Sequence, residues 1–508
     1  MKKILIIALA VTVSLVGVNC TKILEEKPVG LLAPEGFFKT KKDVEASIFG
    51  AYGQIASEPL FGRQFLSALM LRSDMVDIGD RATSPERIQV NDFNMDSNNG
   101  MVAKFWPVWY QVISAANTAE EGARSLGLAE ADINPLIAEA KFVRAFSYFH
   151  LVRIFGDIPY ISAVSSPEAL KTISKTKEAD VYAAIIKEME FAKKWLPDTQ
   201  PNDVRTRPTK ATAAAYLASM YLTTGDFDKA YVEAKWVIDN KIKYNLILES
   251  DFQNLFRANL GNNMKEHLFA VDFVGQLFST GGQNDDLMGP MTGMRAPMQE
   301  NGFGVLVPSL KVYTDWDAAD YRRAVSFNDV GVNGAGATVP YTAFSNEKRP
   351  HIAKWRRFPG NAIANGRYSD FNYPDMRYAE VLLIAAEALT EKSSAPTQEA
   401  IDYLNQIRTR ARNKAGAPQL APANLLLSSF TSKGQLIDAI LDERRLELAF
   451  EFKRWYDIKR RKLGDIVFKG TNSLEPHANF DATRDYLMPL PATELQLNPN
   501  LNPQNPKY

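Results

Sequence analysis

Residues 208–240 restrict the possible folds of this chain more than any other segment. They read PTKATAAAYLASMYLTTGDFDKAYVEAKWVIDN. Two runs with helical apolar spacing are separated by Thr224-Gly225-Asp226, where the glycine breaks the pattern. Pro208 suits the first turn of the first helix, because its missing N–H would be unpaired there in any case. The segment therefore predicts two helices joined by a short turn.

The apolar residues of this pair follow the small-and-large spacing of a tetratricopeptide helix hairpin. Alanines let the two helices approach closely, and aromatic rings fill the remaining gaps. The residues concerned are Leu217, Ala218, Tyr221, Phe227, Ala230 and Ala234. Such a hairpin cannot bury its apolar face alone, so further helix pairs are expected beside it. The other segments with helical patterns are 41–56, 105–124, 135–155, 179–196, 375–391, 397–413 and 434–461.

The character of the chain changes between residues 245 and 370. Helical periodicity fades, and residues 275–304 contain seven glycines. Long ordered loops in large domains often carry function. We therefore predict a mostly α-helical fold, helical over 41–244 and 371–465, with a loop-rich ligand-binding region over 245–370.

Four methionines in this region occur at helical spacing. They are Met288, Met291, Met294 and Met298. Glycines and prolines interrupt the run, so a regular binding stripe is not expected. We interpret the methionines as residues that pack within the loops.

The N-terminus has the features of an export signal. Lys2 and Lys3 precede 15 mostly apolar residues, which are too few for a membrane-spanning helix. We assign residues 1–19 to a signal peptide and residues 20–40 to a tether. Cys20 is the chain's one cysteine and follows the apolar run directly, as the acylated cysteine of a bacterial lipoprotein does. Gly17 and Asn19 depart from the usual Leu and small residue before that cysteine, so cleavage that leaves a free thiol is the alternative.

Composition and motifs exclude several classes of function. Lys plus Arg equals Asp plus Glu, 59 each, which argues against a nucleic-acid partner. One cysteine and four scattered histidines leave no zinc motif, and no nucleophile elbow or phosphate loop occurs. No metal site or cofactor is therefore expected. We interpret the carboxylates Asp74, Asp77 and Asp80 as solvated or capping groups, and His150 as a hydrogen-bonded packing residue.

Several separated motifs, in the same order along the chain, resemble the SusD/RagB family. In the N-terminal half they are WYQVISAANTAEEGA and AEAKFVRAFSYFHLVRIFGDIPY. In the C-terminal third they are RYAEVLLIAAEAL, LNQIRTRA, ILDERRLELAFEFKRWYDIKR and YLMPLPATELQLNPNLNPQNP. The Leu-Glu-Glu of the tether is also similar. The resemblance is weakest over about 80–100 and 245–350.

The resemblance implies a lipid-anchored protein of the outer membrane that faces the cell exterior. Family members capture glycans or other oligomeric nutrients without turning them over. These proteins deliver the captured nutrient to a SusC-like TonB-dependent transporter. The same resemblance implies that Cys20 carries the acyl chains, palmitate among them, and that 41–508 forms one SusD-like domain.

Candidate ligand contacts are aromatic residues in irregular segments with polar neighbours. A sugar ring stacks its C–H face on an aromatic ring, while carboxylate, amide and guanidinium groups bind its hydroxyls. The residues chosen in this way are Asn91, Phe93, Asn94, Tyr313, Asp315, Trp316, Trp355 and Arg356. Packing beneath a loop is the alternative for each ring.

Two other functions stay open at this point. A helical-repeat surface could bind a protein partner, as the tetratricopeptide-like pair suggests. A surface glycosidase is supported only by the abundance of acidic residues, because the distance between two carboxylates is not readable from sequence.

The helix predicted over 434–461 contains DERRLELAFEFKRWYDIKRR, which is apolar around much of its circumference and should be largely buried. Some of its charges are then drawn inward with it. Because an unpaired buried charge is too costly, they must form ion pairs. The hypothesis of a structural ion-pair set concerns Glu443, Arg444, Glu447 and Arg454.

Overall fold

Helices form most of the N-terminal half of the chain. The computed structural model describes residues 34–273, 286–295, 298, 302–344, 347–355 and 371–508. The elements of this half are α1 (Pro34–Phe37), α2 (Lys41–Ile55), α3 (Gln64–Leu71), β1 (Val76–Ile78), α4 (Pro85–Asn91), α5 (Gly100–Ser125), α6 (Glu130–Phe155), α7 (Pro167–Leu170), α8 (Glu178–Trp195), α9 (Lys210–Thr224) and α10 (Phe227–Asp239).

Short strands and short helices follow before a second helical part. They are β2 (His267–Val271), α11 (Met288–Thr292), β3 (Leu306–Pro308), α12 (Leu310–Asp315), α13 (Tyr321–Ser326), β4 (Phe327–Asn328), β5 (Val330–Val332), β6 (Thr338–Pro340), β7 (His351–Ile352) and β8 (Tyr373–Arg377). The second helical part contains α14 (Tyr378–Lys392), α15 (Gln398–Ala411), β9 (Asn413–Lys414), β10 (Ala417–Pro418), α16 (Lys433–Glu447), α17 (Arg454–Arg460), α18 (Gly464–Lys469) and α19 (Ala492–Leu497). The strands pair in antiparallel twos: β1 with β3, β2 with β8, β4 with β7, β5 with β6 and β9 with β10.

The α9–α10 hairpin has the geometry that its sequence predicts. Thr209 caps α9 through the backbone N–H of Thr212, so Pro208 lies just before the helix and not in its first turn. Gly225 ends α9 with a φ of 81°, a left-handed conformation that glycine adopts without strain. Asp226 then caps α10 by accepting from the backbone N–H of Lys229. The turn predicted from the break is therefore confirmed.

Each long helix packs against its neighbours in a continuous series. The contacts run from α2 to α5, α6, α8, α9, α10 and α14, and α14 also packs against α15 and α16. Alanine-rich α9 lies in the middle of this series, with most of its residues buried. The prediction of a mostly α-helical fold with tetratricopeptide-like helix pairs is confirmed.

The helix predicted over 434–461 is wrong as one continuous element. It ends at Glu447 and resumes at Arg454. Phe450 and Phe452 both have a φ of 63°, which no α-helix contains. The turn directs the two rings to separate partners, Phe450 to Phe327 and Phe452 to Trp355. Similarly, the helix predicted from 375 begins at Tyr378, because the preceding residues form β8.

Buried charges join the loop-rich region to the second helical part. Glu447 accepts from Arg377 at 3.0 Å and from Arg322 at 3.3 Å, and it also pairs with Arg410. Burial alone would raise the pKa of Glu447, but these guanidiniums hold it far below its ordinary value. We call this set the core charge network; its members are Glu266, Asp320, Arg322, Arg377, Arg410, Glu443, Glu447 and Glu451.

The predicted inward pairing of the 434–461 charges is confirmed. Glu443 bonds Arg322 at 2.6 Å, and Arg444 bonds Asp457 at 3.1 Å. Arg454 forms two 2.7 Å hydrogen bonds with Asp74, which is itself buried. Asp74 is therefore not a solvated or capping group, and that part of the interpretation of Asp74, Asp77 and Asp80 is wrong.

His150 packs in the aromatic core as predicted. Its ring stacks on Trp109 with centroids 5.2 Å apart, and its Nδ1 lies 2.9 Å from the Tyr456 hydroxyl. Burial keeps the pKa of His150 well below its ordinary value. The imidazole is therefore neutral and structural.

Candidate ligand-binding site

A group of charged side chains lies where four segments of the chain meet near β1. Asp77 is its centre: its carboxylate accepts from the Asn91 amide at 2.9 Å and pairs with Arg349 at 3.1 Å. Arg349 also reaches Glu475 at 3.4 Å. These residues come from β1, the end of α4, the segment before β7 and the loop after α18. The pairing of β1 with β3 fixes the first of them in place.

Further charges extend this group toward solvent. Arg81 binds Asp92 with two hydrogen bonds of 2.7 and 3.0 Å, and Arg295 pairs with Asp80. We call the whole set the surface charge cluster; it comprises Asp77, Asp80, Arg81, Asn91, Asp92, Arg295, Glu347, Arg349 and Glu475. About half of the Arg81 and Arg295 side chains is exposed, 54% and 45%, so both can exchange partners.

The carboxylates of the cluster have opposite electrostatic environments. Burial and the nearby Asp77 raise the pKa of Glu475, and burial also raises the pKa of Glu347. Burial alone would raise the pKa of Asp92, but hydrogen bonds from Arg81 and Asn91 hold it below its ordinary value. The cluster therefore offers both charged acceptors and carboxyl groups poised to take a hydrogen bond or a positive charge.

An aromatic floor lies beneath the cluster. Phe93 contacts Phe468 and Phe480 with centroids 4.8 and 5.3 Å apart, and the ring of His477 lies 5.3 Å away. The guanidinium of Arg72 lies 4.6 Å from the centroid of the Phe93 ring. Phe93 also has a φ of 53°, and its carbonyl accepts from Arg484 at 2.6 Å. These contacts hold Phe93, and with it the 92–99 loop, beneath the charges.

The predicted residues of this loop have different environments. Asn91 is buried and bonds both Asp77 and Asp92, so it organises the cluster from within. Phe93 is fully buried, and neither face of its ring is open to a ligand in this structure. Asn94 is exposed beside the cluster.

The second predicted set lies on and just after α12. Tyr313 is half-buried, donates to Asp329 at 2.8 Å and lies beneath the guanidinium of Arg323. Asp315 is exposed and pairs with Lys311. Trp316 is buried, and its Nε1 donates to Asp320 at 3.1 Å, which links it to the core charge network. Among the described residues, no hydrogen bond or ion pair between Tyr313, Asp315 or Trp316 and the surface charge cluster is seen.

Trp355 packs in the interior, away from solvent. Its ring stacks on Phe452 with centroids 5.0 Å apart and also contacts Phe371 and Tyr373. This placement, like that of Phe93 and Trp316, fits the packing alternative. Arg356 and Cys20 lie outside the described residues, so both remain predictions.

Sequence reasoning missed the charged half of the site. The interpretation of Asp77 and Asp80 as solvated or capping groups overlooks their ion pairs with Arg349 and Arg295. Arg349, Glu347 and Glu475 have no signal of their own in the sequence. The stretch RSDMVDIGD carried one usable signal, since Asp77 alternates with apolar residues that would be buried in a strand. Nothing in the sequence brings Arg349 and Glu475 together.

The described part of the chain was searched for two further features, a metal-binding group of side chains and a membrane-spanning helix. None of its His, Cys, Asp and Glu side chains form a group of three or more placed to bind a metal ion. Within the same residues, no helix has the length and apolar character needed to cross a membrane.

Comparison with known proteins establishes the family. The SusD family profile matches residues 311–508, and a profile described as "Starch-binding associating with outer membrane" matches residues 50–222. The SusD-like protein P2 of Formosa agariphila is 51% identical over 517 residues, which is 100% of both chains.

Solved structures of low sequence identity share the fold. A SusD homolog from Bacteroides thetaiotaomicron superposes with a TM-score of 0.79 at 21% identity, over 94% of this chain and 98% of that one. A laminarin-binding SusD-like protein superposes with a TM-score of 0.74 at 22% identity, over 93% of this chain and 100% of that one. Because a relative of full length is 51% identical, this chain belongs to the SusD family.

Proposed function

We propose that this protein captures an oligomeric glycan at the cell surface and delivers it to a SusC-like TonB-dependent transporter. The surface charge cluster carries the proposal, because it brings carboxylates, an amide and three guanidiniums together at a loop-lined surface. Groups of these types bind sugar hydroxyls. The laminarin-binding neighbour of the same fold supports the ligand class.

In this proposal the exposed residues contact the glycan and the buried rings support them. Arg81, Arg349 and Asn94 would bind hydroxyls, while Phe93 holds their loop from beneath. Tyr313 and Asp315 would form a separate contact, because they lie on another element. Trp316, Trp355 and Arg356 were predicted as direct contacts; the burial of the two tryptophans favours a supporting role for them.

A glycan microarray that includes starch and laminarin fragments tests the ligand class. Binding without release of shorter products supports capture. Hydrolysis of a bound glycan would favour the glycosidase alternative, in which Glu347 or Glu475 with its raised pKa would act as the acid. Failure to bind any glycan would contradict the proposal.

The protein-binding alternative also has a specific feature in its favour. A groove of about 760 Å³ lies between α8 and the α9–α10 hairpin, lined by Tyr182, Lys187, Glu190, Tyr221, Asp226 and Lys229 among others. In the leading proposal this helical side contacts the transporter. Copurification of a protein partner that charge reversal at Lys187 abolishes, without any glycan binding, would favour the alternative.

The anchor is proposed on Cys20, at the outer membrane and facing the exterior. The profile description that names association with the outer membrane supports this location. Intact-mass analysis of membrane-extracted protein should find acyl chains on Cys20 and no residues 1–19. A Cys20→Ala variant that stays membrane-bound by itself would contradict the anchor.

A further inference from the structure

One aromatic side chain lies open to solvent in a part of the molecule that the surface charge cluster does not include. The four methionines of the interrupted run are buried, so the packing interpretation of them is confirmed, and Phe93, Trp316 and Trp355 are buried as well. Phe49, on α2, is 48% exposed, the highest value for a phenylalanine or tryptophan among the described residues. It lines a cavity of about 320 Å³. Cavities that bind small molecules begin at about 300 Å³.

Two further segments of the chain form the walls of this cavity opposite α2. In β2, the backbone N–H of Ala270 donates to the carbonyl of Arg205 at 2.9 Å, which holds the segment before α9 against the strand. Thr206 and Arg207 of that segment line one wall, and the end of β2 lines another together with Asp272. Hydroxyl, guanidinium and carboxylate groups therefore surround the same cavity as the exposed ring.

A buried carboxylate fixes the polar wall in position. Glu139, on α6, is 3% exposed and accepts from Nε and Nη2 of Arg207 at 2.9 and 2.6 Å. The same carboxylate accepts from the hydroxyl of Tyr52 at 2.9 Å. The guanidinium lies 5.0 Å from the centroid of the Phe49 ring. Because Glu139 engages Nε and Nη2, the arginine is oriented before any ligand arrives, and Nη1 is left for the ligand.

The chemistry of the walls favours a ligand with one apolar face and a polar edge. A sugar ring has this form, since its C–H face packs on an aromatic ring and its hydroxyls bind polar groups. A wholly apolar ligand would cover Arg207 without offering it a hydrogen bond, which is unfavourable. An anionic ligand would meet Asp272, and the charge of Arg207 is already shared by Glu139 and, at 3.6 Å, by Glu45. The walls therefore favour a neutral sugar.

Two glycines of α2 provide a way to close the cavity without disturbing the fold. A Cβ on Gly53 would meet no atom within 4 Å apart from the backbone of its own helix, and Gly53 lines the cavity. Gly50, one turn earlier, has equally open surroundings and is not among the lining residues. Glycine weakens a helix, so a larger residue at either position is expected to leave α2 intact.

We propose that this cavity binds one neutral sugar ring of a glycan, at a second site apart from the surface charge cluster. Phe49 packs against the C–H face of the ring, and Arg207 and Thr206 bind its hydroxyls. The ligand class rests on the proposed function, but the position of the site does not, because the two sites share no residue. A glycan chain long enough to reach both sites is held more strongly than by either one.

Fluorine NMR at Phe49 tests the second site directly. The full chain carries a fluorinated phenylalanine in place of Phe49 alone, and the probes are maltotriose, laminaritriose and the trisaccharide of any other glycan that binds the microarray. At least one neutral trisaccharide should shift the fluorine signal in a saturable way. Gly53→Leu fills the cavity and should weaken this affinity at least about tenfold. Gly50→Leu is the matched control and should leave it within about twofold.

Arg349→Ala separates the second site from the surface charge cluster. In this variant the fluorine titration should be unchanged, although total glycan binding measured by calorimetry weakens. If a trisaccharide binds by calorimetry but leaves the fluorine signal in place, or if the two leucine variants titrate alike, the second site is overturned and the proposed function stands. If no glycan binds in any assay, both proposals fail. Tighter binding of an anionic alginate trisaccharide than of every neutral probe would overturn the ligand class.

Discussion

The core charge network and the surface charge cluster are built from the same residue types but lie in different surroundings. In the core network the side chains of Glu447, Arg322 and Arg377 are at most 1% exposed. Among the ion-paired side chains of the surface cluster, exposure ranges from 11% for Asp77 to 54% for Arg81. A buried ion that loses its partner stays uncompensated, whereas an exposed one recovers water. The first set therefore stabilises the fold, and the second can exchange its partners for a ligand.

The largest effect should come from the centre of the core network. Glu447→Gln keeps the shape of the side chain but removes the charge shared by three guanidiniums. Breaking a buried pair in this way costs about 3–5 kcal/mol of unfolding free energy. Chemical denaturation measures the loss. Glu121→Gln on the exposed face of α5 is the control and should change stability by less than about 0.5 kcal/mol.

The next effect concerns the ligand and rests on the proposed function. Arg349→Ala removes a guanidinium that bridges two carboxylates of the surface cluster. A hydrogen bond to a charged group contributes about 1.5–3 kcal/mol, so glycan affinity should fall roughly tenfold to a hundredfold. Calorimetry with a glycan identified on the microarray measures this affinity. Arg124→Ala removes an exposed arginine that pairs with Glu120 away from the cluster, and it should leave the affinity unchanged.

A smaller, pH-dependent effect should come from Asp457. Although burial alone would raise it, Arg444 and Arg460 hold the pKa of Asp457 at about 2, below its ordinary value of 3.8. The unfolded state binds the proton first, so this contribution is present above pH 4 and is lost as the pH falls toward 2. In Asp457→Asn, the unfolding free energy should fall less steeply as the pH is lowered. The difference in slope corresponds to at most about one proton taken up on unfolding. An unchanged slope would show that the carboxylate is not stabilised by its partners.

The smallest effect on the ligand should come from Phe93. Since its ring is covered by Phe468 and Phe480, Phe93→Leu should change glycan affinity by no more than about twofold. The variant should lose stability, because a buried aromatic ring is replaced by a smaller side chain. A tenfold loss of affinity with unchanged stability would instead restore the stacking role predicted from the sequence.

The sequence was most informative where a local pattern determines the structure. The break at Thr224-Gly225-Asp226 predicted the α9–α10 hairpin, and charges interleaved with apolar residues predicted the buried pairs of Glu443 and Glu447. It failed where distant segments decide the outcome. The positive φ values of Phe450 and Phe452 break a helix that local spacing favoured.

The candidate site was harder to predict for the same reason. Asp77 and Asn91 lie close in sequence, but Arg349 and Glu475 reach them from far along the chain. Aromatic residues in irregular segments are compatible both with ligand contacts and with packing, because their covering side chains are also distant in sequence. Burial separated these alternatives for Phe93, Trp316 and Trp355.

The most direct test measures stability and glycan affinity together in two variants, Glu447→Gln and Arg349→Ala. The core variant should lose several kcal/mol of stability and, at a temperature where it is folded, bind the glycan as the native chain does. The surface variant should keep its stability within about 1 kcal/mol and lose at least tenfold in affinity. The reverse result, with binding abolished and stability unchanged in Glu447→Gln, would contradict the division of roles between the two sets of charges.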